Sequence, residues 1–170
     1  AAAGQIEYAI GGAGTPLLSI HGAGGGYDQG LMIATALVGD GFKVIAPSRF
    51  GYLRTPVPRD PSSAAQADAD TALLDVLGVD RVIVVGTSAG APSAMQLAIR
   101  HPERVAALIL LVPRGYAPGH AVKLDSSPGN QAVLKVIQAG ADFIYWLMLH
   151  VTPSVLIRFV GVPPEVLDKA

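Results

Sequence analysis

The sequence predicts an α/β fold: a mostly parallel sheet with helices on both faces. Three observations carry that expectation. Strand-like and helix-like patterns alternate through residue 112 in a βαβαβαβ order. Two runs, Arg81–Gly86 and Val105–Val112, are apolar on both alternations, as strands covered on both faces of a parallel sheet are. Finally, 20 Gly and 13 Pro punctuate the 170 residues, so the elements are short and the turns tight. Right-handed crossovers then distribute the helices over both faces.

Taken in order, Gln5–Ile10 reads as a short strand and Gly11-Gly12-Ala13-Gly14 as a turn. Leu17-Leu18-Ser19-Ile20 is an apolar strand that runs straight into His21-Gly22-Ala23-Gly24-Gly25-Gly26. Leu31–Val38 has helical spacing and stops at Gly39-Asp40-Gly41. Phe42–Ala46 is the next strand, and a loop with four prolines, Pro47–Pro61, follows it. Ser62–Leu77 reads as an amphipathic helix with Leu73, Leu74 and Leu77 on one face. After Arg81–Gly86, Ala91–His101 is helical and halts at Pro102. From Pro113 the pattern changes. Tyr116–Asn130 is loop-like, while Gln131–His150 and Ser154–Phe159 look helical. Two parts are therefore expected, a sheet-building part over 1–112 and a helical appendage over 113–170.

Composition narrows the function classes. Charged residues make up only 15%, too few for a disordered chain. Net charge is −1 with no basic patch, which argues against nucleic acid and anionic membrane as partners. The longest apolar stretches, Val105–Pro113 and Phe143–Leu149, fall short of the roughly 20 residues that span a bilayer. Without cysteine there is no disulfide framework, thiolate metal site or cysteine nucleophile. That leaves the compartment open, with the cytoplasm as the expectation and secretion not excluded. The chain opens on Ala1-Ala2-Ala3 without an initiator Met, which leaves processing open too.

The strongest chemical signal is Gly86-Thr87-Ser88-Ala89-Gly90, a G-x-S-x-G between an apolar strand and a helix. A serine on so sharp a turn has strained backbone angles, and the small residues two positions to either side let chains pass closely. Its hydroxyl is held clear of the backbone, and the helix N-terminus behind it offers N–H groups to an oxyanion. Pro92 sits in the first helical turn, where its missing N–H costs nothing. The plainer reading is a glycine-bounded turn whose serine caps the helix. The second signal, His21-Gly22-Ala23-Gly24-Gly25, is a glycine-rich loop able to aim N–H groups at developing negative charge. As a dinucleotide loop it fails at its last glycine, and no acidic residue ends the next strand. His21 itself reads as a loop-fixing hydrogen bonder rather than a base.

Four segments in this order resemble a known family: Leu18-Ser19-Ile20-His21-Gly22, Ser48-Arg49-Phe50-Gly51-Tyr52, Gly86-Thr87-Ser88-Ala89-Gly90 and Arg100-His101-Pro102-Glu103-Arg104-Val105. Together they resemble the α/β-hydrolase superfamily, in its cap-bearing esterase, lipase and carbon–carbon-bond hydrolase group. The likeness covers about residues 5 to 112. It implies Ser88 as nucleophile, the backbone N–H groups of Ala23 and Ala89 as the oxyanion hole, and the start of a helical cap over 113–170. It implies no cofactor and no metal. Serine at position 88 separates the chain from the similar dehalogenases and epoxide hydrolases, which carry aspartate there. Ala91 stands where many members have a third glycine, a departure that bears only on packing.

The family order continues with an acid and then a histidine, each after a later strand. After Ser88 the histidines are His101, His120 and His150, and the acids are Glu103, Asp125, Asp142, Glu165 and Asp168. His101, ending a helix beside Pro102, reads as a partner of the helix dipole. Asp142 and His150 are about 12 Å apart along one expected helix and cannot pair. Asp125 with His150 stays open, although neither follows a strand. The chain thus reads as the front part of a longer protein, with the C-terminal strands, acid and histidine supplied by further sequence or a second chain.

Other residues carry weaker expectations. Asp68, Asp70 and Asp75 read as a solvated helix face rather than metal ligands. Arg49 and Arg54 flank a loop at the sheet end that holds Ser88, where pairing with surface carboxylates outweighs substrate contact. His21, Gly22, Gly24, Tyr145 and Trp146 are candidates to line a pocket, with Phe143–Leu149 packing a cap above it. The leading expectation is a serine hydrolase acting on a small ester-like substrate. The alternative is a non-catalytic ligand-binding or sensing protein of the same fold.

Overall fold

The structure, a computed structural model, describes residues 4–113. The chain divides into two units between Tyr116 and Ala117, and all described residues belong to the first. Five strands form one sheet: β1 (Tyr8–Gly12), β2 (Thr15–Ile20), β3 (Phe42–Pro47), β4 (Val82–Thr87) and β5 (Val105–Leu111). Three helices connect them: α1 (Tyr27–Leu37), α2 (Ser63–Val76) and α3 (Ala91–Arg100). The strand order is β1-β3-β2-β4-β5, with β1 antiparallel to β3 and every other pairing parallel. The mostly parallel α/β sheet expected from the sequence is therefore present.

Side-chain alternation decides which residues share a face. Leu18 and Ile20 of β2, Ile45 of β3, and Val82 and Val84 of β4 face one way. There they meet Ala67, Leu73 and Leu74 of α2 and Ala94 and Leu97 of α3. The intervening residues Leu17, Val44 and Val85 face the other way, against Ala34 and Leu31 of α1. A strand buried on both faces has no polar side to offer, which is why these segments read as continuous apolar runs.

The boundaries differ from the sequence reading at the first strand and the first helix. β1 runs on through Gly11 and Gly12, paired with Val44 and Lys43, so the turn shrinks to Ala13-Gly14. Helix α1 begins at Tyr27, ahead of the apolar periodicity at Leu31, because Ser48 Oγ and the Asp28 carboxylate accept the first exposed N–H groups. Helix α2 starts as its sequence indicates, with Ser62 Oγ accepting from Ala65 N–H at 3.2 Å. The solvated face expected on α2 needs one correction. Asp70, expected on the solvated side of α2, is fully buried. Asp68 and Asp75 do face outward and pair with Arg100 and Arg104, each at 2.7 Å.

Sheet order positions the site. The chain leaves β2 toward β3 on one side, while β4 lies on the other, so the strand order reverses beside β2. Ligands of open α/β sheets bind outside the carboxyl ends of the strands at such a reversal. The segments that leave β2, β3 and β4 there are the His21 loop, the Arg49 loop and Ser88.

Candidate functional site

The register between β2 and β4 pairs Ile20 with Gly86. Both chains leave the sheet at this level, so Gly22 and Ser88 emerge side by side. A Cβ built on Gly22 would lie 3.4 Å from the Ser88 Cβ and 3.5 Å from the Thr87 carbonyl oxygen. Ser88 itself has φ of 48°, the left-handed region that a side chain rarely adopts. It opens a short 3-10 turn, Ser88–Gly90, between β4 and α3, and it is half-buried. Backbone strain of this kind persists only where its surroundings over-determine it.

The flanking glycines supply that constraint. A Cβ on Gly86 would sit 2.5 Å from Ala94 Cβ and 3.0 Å from Ala91 Cα. A Cβ on Gly90 would collide with the backbone oxygens of Ile20 and His21. The elbow is therefore clamped between α3 behind it and the end of β2 beside it. Ala89 is the second residue of the turn, and an N–H in a helical first turn has no partner inside the helix.

The His21 loop is held from below. His21 is fully buried. Its Nε2 accepts the Arg49 backbone N–H at 2.9 Å, and its Nδ1 donates to the Gly22 carbonyl at 2.7 Å. Burial drives its pKa down from 6.5 to about 4, so the ring is neutral near neutral pH. Gly22 is buried too, and its N–H donates to Gln29 Oε1 at 2.8 Å. Ala23 and Gly24 are exposed, and the Ala23 N–H finds no acceptor among the described residues.

Arg49 departs from the sequence reading. Instead of a surface carboxylate it reaches the His21 and Gly22 carbonyls, at 3.4 and 3.2 Å, with its guanidinium 5.3 Å from the centre of the Tyr52 ring. The Tyr52 ring in turn meets His21 edge-on at 4.7 Å. Arg54 does pair with a surface acid, Glu7, at 3.7 Å.

The buried Asp70 carboxyl feels the Arg49 charge. Its Oδ1 accepts from Gln66 Nε2 at 2.9 Å, while Gln66 Oε1 accepts the Phe50 N–H at 2.8 Å. Its Oδ2 has no partner among the described residues, and burial pushes the carboxyl up to about 7.

Among the described residues one histidine meets an acid: His101 Nε2 lies 2.8 Å from Asp68 Oδ1. This pair caps the far end of α3, whereas Ser88 precedes its first turn. The ten residues of α3 put about 15 Å of helix axis between them, too far for proton transfer to Ser88. His120, His150, Tyr145, Trp146 and the Phe143–Leu149 block lie outside the described residues. Sequence reasoning missed Gln29, Gln66, Tyr52 and the burial of Asp70. Only Gln29 left a local trace, as a long polar side chain in the first turn of a helix that follows a glycine run.

Comparison with known proteins agrees with the fold. The profile of the family described as alpha/beta hydrolase fold matches residues 15–145. The chain is 40% identical over 108 residues to the uncharacterized hydrolase YcgS of Bacillus subtilis, covering 63% of the chain and 37% of YcgS. It is 36% identical over 108 residues to the 2-hydroxymuconate semialdehyde hydrolase of Pseudomonas sp. (strain CF600), covering 61% of the chain and 38% of that enzyme. Among solved structures, an alpha/beta hydrolase fold protein from Nakamurella multipartita superimposes with a TM-score of 0.61 at 34% identity, covering 79% of this chain and 48% of that one. The chain thus spans between about a third and a half of the length of these relatives.

Proposed function

Because the chain belongs to the α/β-hydrolase fold family, we propose that it carries the nucleophile half of a serine hydrolase cleaving an ester or related acyl bond. The observation that carries this reading is Ser88 at φ of 48°, placed by the β2–β4 register beside the His21 loop. In the proposed reaction the Ser88 Oγ attacks the substrate carbonyl carbon and gives its proton to a histidine. The carbonyl oxygen becomes an oxyanion held by the Ala23 and Ala89 N–H groups. Collapse expels the alcohol, which takes the proton back from the histidine, and leaves an acyl group on Ser88. Water, deprotonated by the same base, then releases the acid and regenerates the serine.

That base is not His21, whose two nitrogens are both engaged, nor His101, which is bound to Asp68 at the other end of α3. We assign the histidine and its acid partner to sequence outside the described residues or to a second chain. β5, an edge strand among the described residues, supports the same reading, since it is apolar on both alternations and its Leu108 and Ile109 remain 36% and 43% exposed. Edges of this kind are normally paired or covered.

The test is covalent labelling of the full-length gene product with a fluorophosphonate and mapping of the adduct. A single adduct on Ser88, lost in Ser88→Ala, supports the assignment. Labelling at another residue, or undiminished labelling of Ser88→Ala, would sink it. Replacing Ala23 with Pro removes one N–H donor and should lower kcat by roughly 10²- to 10³-fold.

A further inference from the structure

Two peptide units carry the chain from the end of β2 to Ala23. All described peptide bonds are trans, so in each unit the C=O and the N–H point in opposite directions. The first unit is held at both ends. The His21 carbonyl accepts from the Arg49 guanidinium at 3.4 Å, and the Gly22 N–H donates to Gln29 Oε1 at 2.8 Å. The second unit is held only at its carbonyl. Gly22 O accepts from His21 Nδ1 at 2.7 Å and from the Arg49 guanidinium at 3.2 Å. The opposite end of that plane is the Ala23 N–H, the one group of the four without a partner among the described residues. Whatever grips the Gly22 carbonyl therefore aims the Ala23 N–H.

Arg49 is well placed for this. Its backbone N–H is tied to His21 Nε2 and its guanidinium lies over the Tyr52 ring, so backbone and side chain are both anchored to the loop they hold. No carboxylate among the described residues forms an ion pair with it. A charged guanidinium on two neutral carbonyls also makes stronger hydrogen bonds than a neutral donor would.

We propose that Arg49 is a positioning residue: by gripping the Gly22 carbonyl together with His21, it orients the Ala23 N–H toward the oxyanion. This inference rests on the reading of Ala23 as an oxyanion donor. The guanidinium acts through the loop and does not touch substrate, so its loss should appear in kcat and not in KM. A misaimed donor is costly, because displacements of about 1 Å in a catalytic group lower rates by about 10²-fold.

The experiment compares Arg49→Met, Arg49→Lys and Ala23→Pro in the full-length protein with p-nitrophenyl acetate as the probe. Each kcat is normalised to sites titrated with a fluorophosphonate, which removes any unfolded fraction. Expected are a fall of at least about tenfold in kcat for R49M with KM within about twofold, and partial recovery in R49K, which keeps one charged donor. If R49M does not fold, Arg49→Gln carries the same comparison. A wild-type kcat in R49M beside a strongly impaired A23P overturns the Arg49 assignment and leaves the donor reading standing. A raised KM with unchanged kcat overturns it as well, since Arg49 would then be binding substrate. A wild-type rate in A23P overturns the donor reading itself.

Discussion

The His21 Nε2 accepts the Arg49 backbone N–H at 2.9 Å, a bond that only a neutral ring can make. Its single proton is therefore on Nδ1, directed at the Gly22 carbonyl. One imidazole thus locks the loops after β2 and β3 together at the level of Ser88, and it does so only while unprotonated.

Acid should loosen this lock. The folded-state pKa of His21 is lowered to about 4 from 6.5 by burial. Between these values the unfolded chain binds the proton that the folded chain refuses, so stability falls as pH drops through that window. The loss approaches about 3 kcal/mol once both states are protonated. Urea midpoints at several pH values, compared with those of His21→Gln, measure it. An acid-side slope that is the same in both proteins would contradict the assignment.

Asp70 should act with the opposite sign. Burial raises its carboxyl from 3.8 to about 7, against the opposing pull of the Gln66 hydrogen bond and the Arg49 charge. Its contribution is fully present below about pH 3.8 and is lost as pH rises through about 7. Asp70→Asn keeps an acceptor for Gln66 Nε2 and cannot ionise. Relative to wild type, D70N should therefore gain stability as pH rises from about 5 to 8. Parallel stability curves for the two proteins would show that Asp70 does not titrate in that range.

Gly90→Ala should be damaging out of proportion to its size. The added methyl group meets two backbone oxygens, with Ile20 O at 2.6 Å, and neither can move without shifting β2. Overpacking of this kind costs about 1–3 kcal/mol, and backbone neighbours place this case at the upper end. Chemical denaturation reads the loss directly, and an unchanged midpoint would mean that the β2–β4 exit is looser than drawn.

Asp68→Asn removes the acid beside His101 without touching the Ser88 elbow. The pair lies at the far end of α3, so fluorophosphonate labelling of Ser88 should proceed at the wild-type rate. A large fall in labelling would place Asp68 and His101 in the proton relay, contrary to the helix geometry.

What the sequence determined by itself was whatever depends on neighbours along the chain. The apolar runs of β2, β3 and β4 mark strands because a period-two chain buried on both faces has no polar side, and β5 shares that apolar pattern although its central residues are exposed. Gly86 and Gly90 mark the elbow around Ser88 because their spacing follows from the sharpness of the turn. Ser62 announces α2 because a cap acts three residues away. The tertiary structure alone decided the burial of Asp70 and the partners of Arg49. Two aspartates on one helix look alike in sequence, yet Asp68 faces solvent and Asp70 does not. The difference arises from packing against segments distant in sequence. Likewise, Arg49 reaches carbonyls 28 and 27 residues earlier in the chain. Such contacts exist only once β3 has paired with β2 and brought the two loops to one end of the sheet, because hydrogen bonds act over about 3 Å and leave no periodic trace in the residues between.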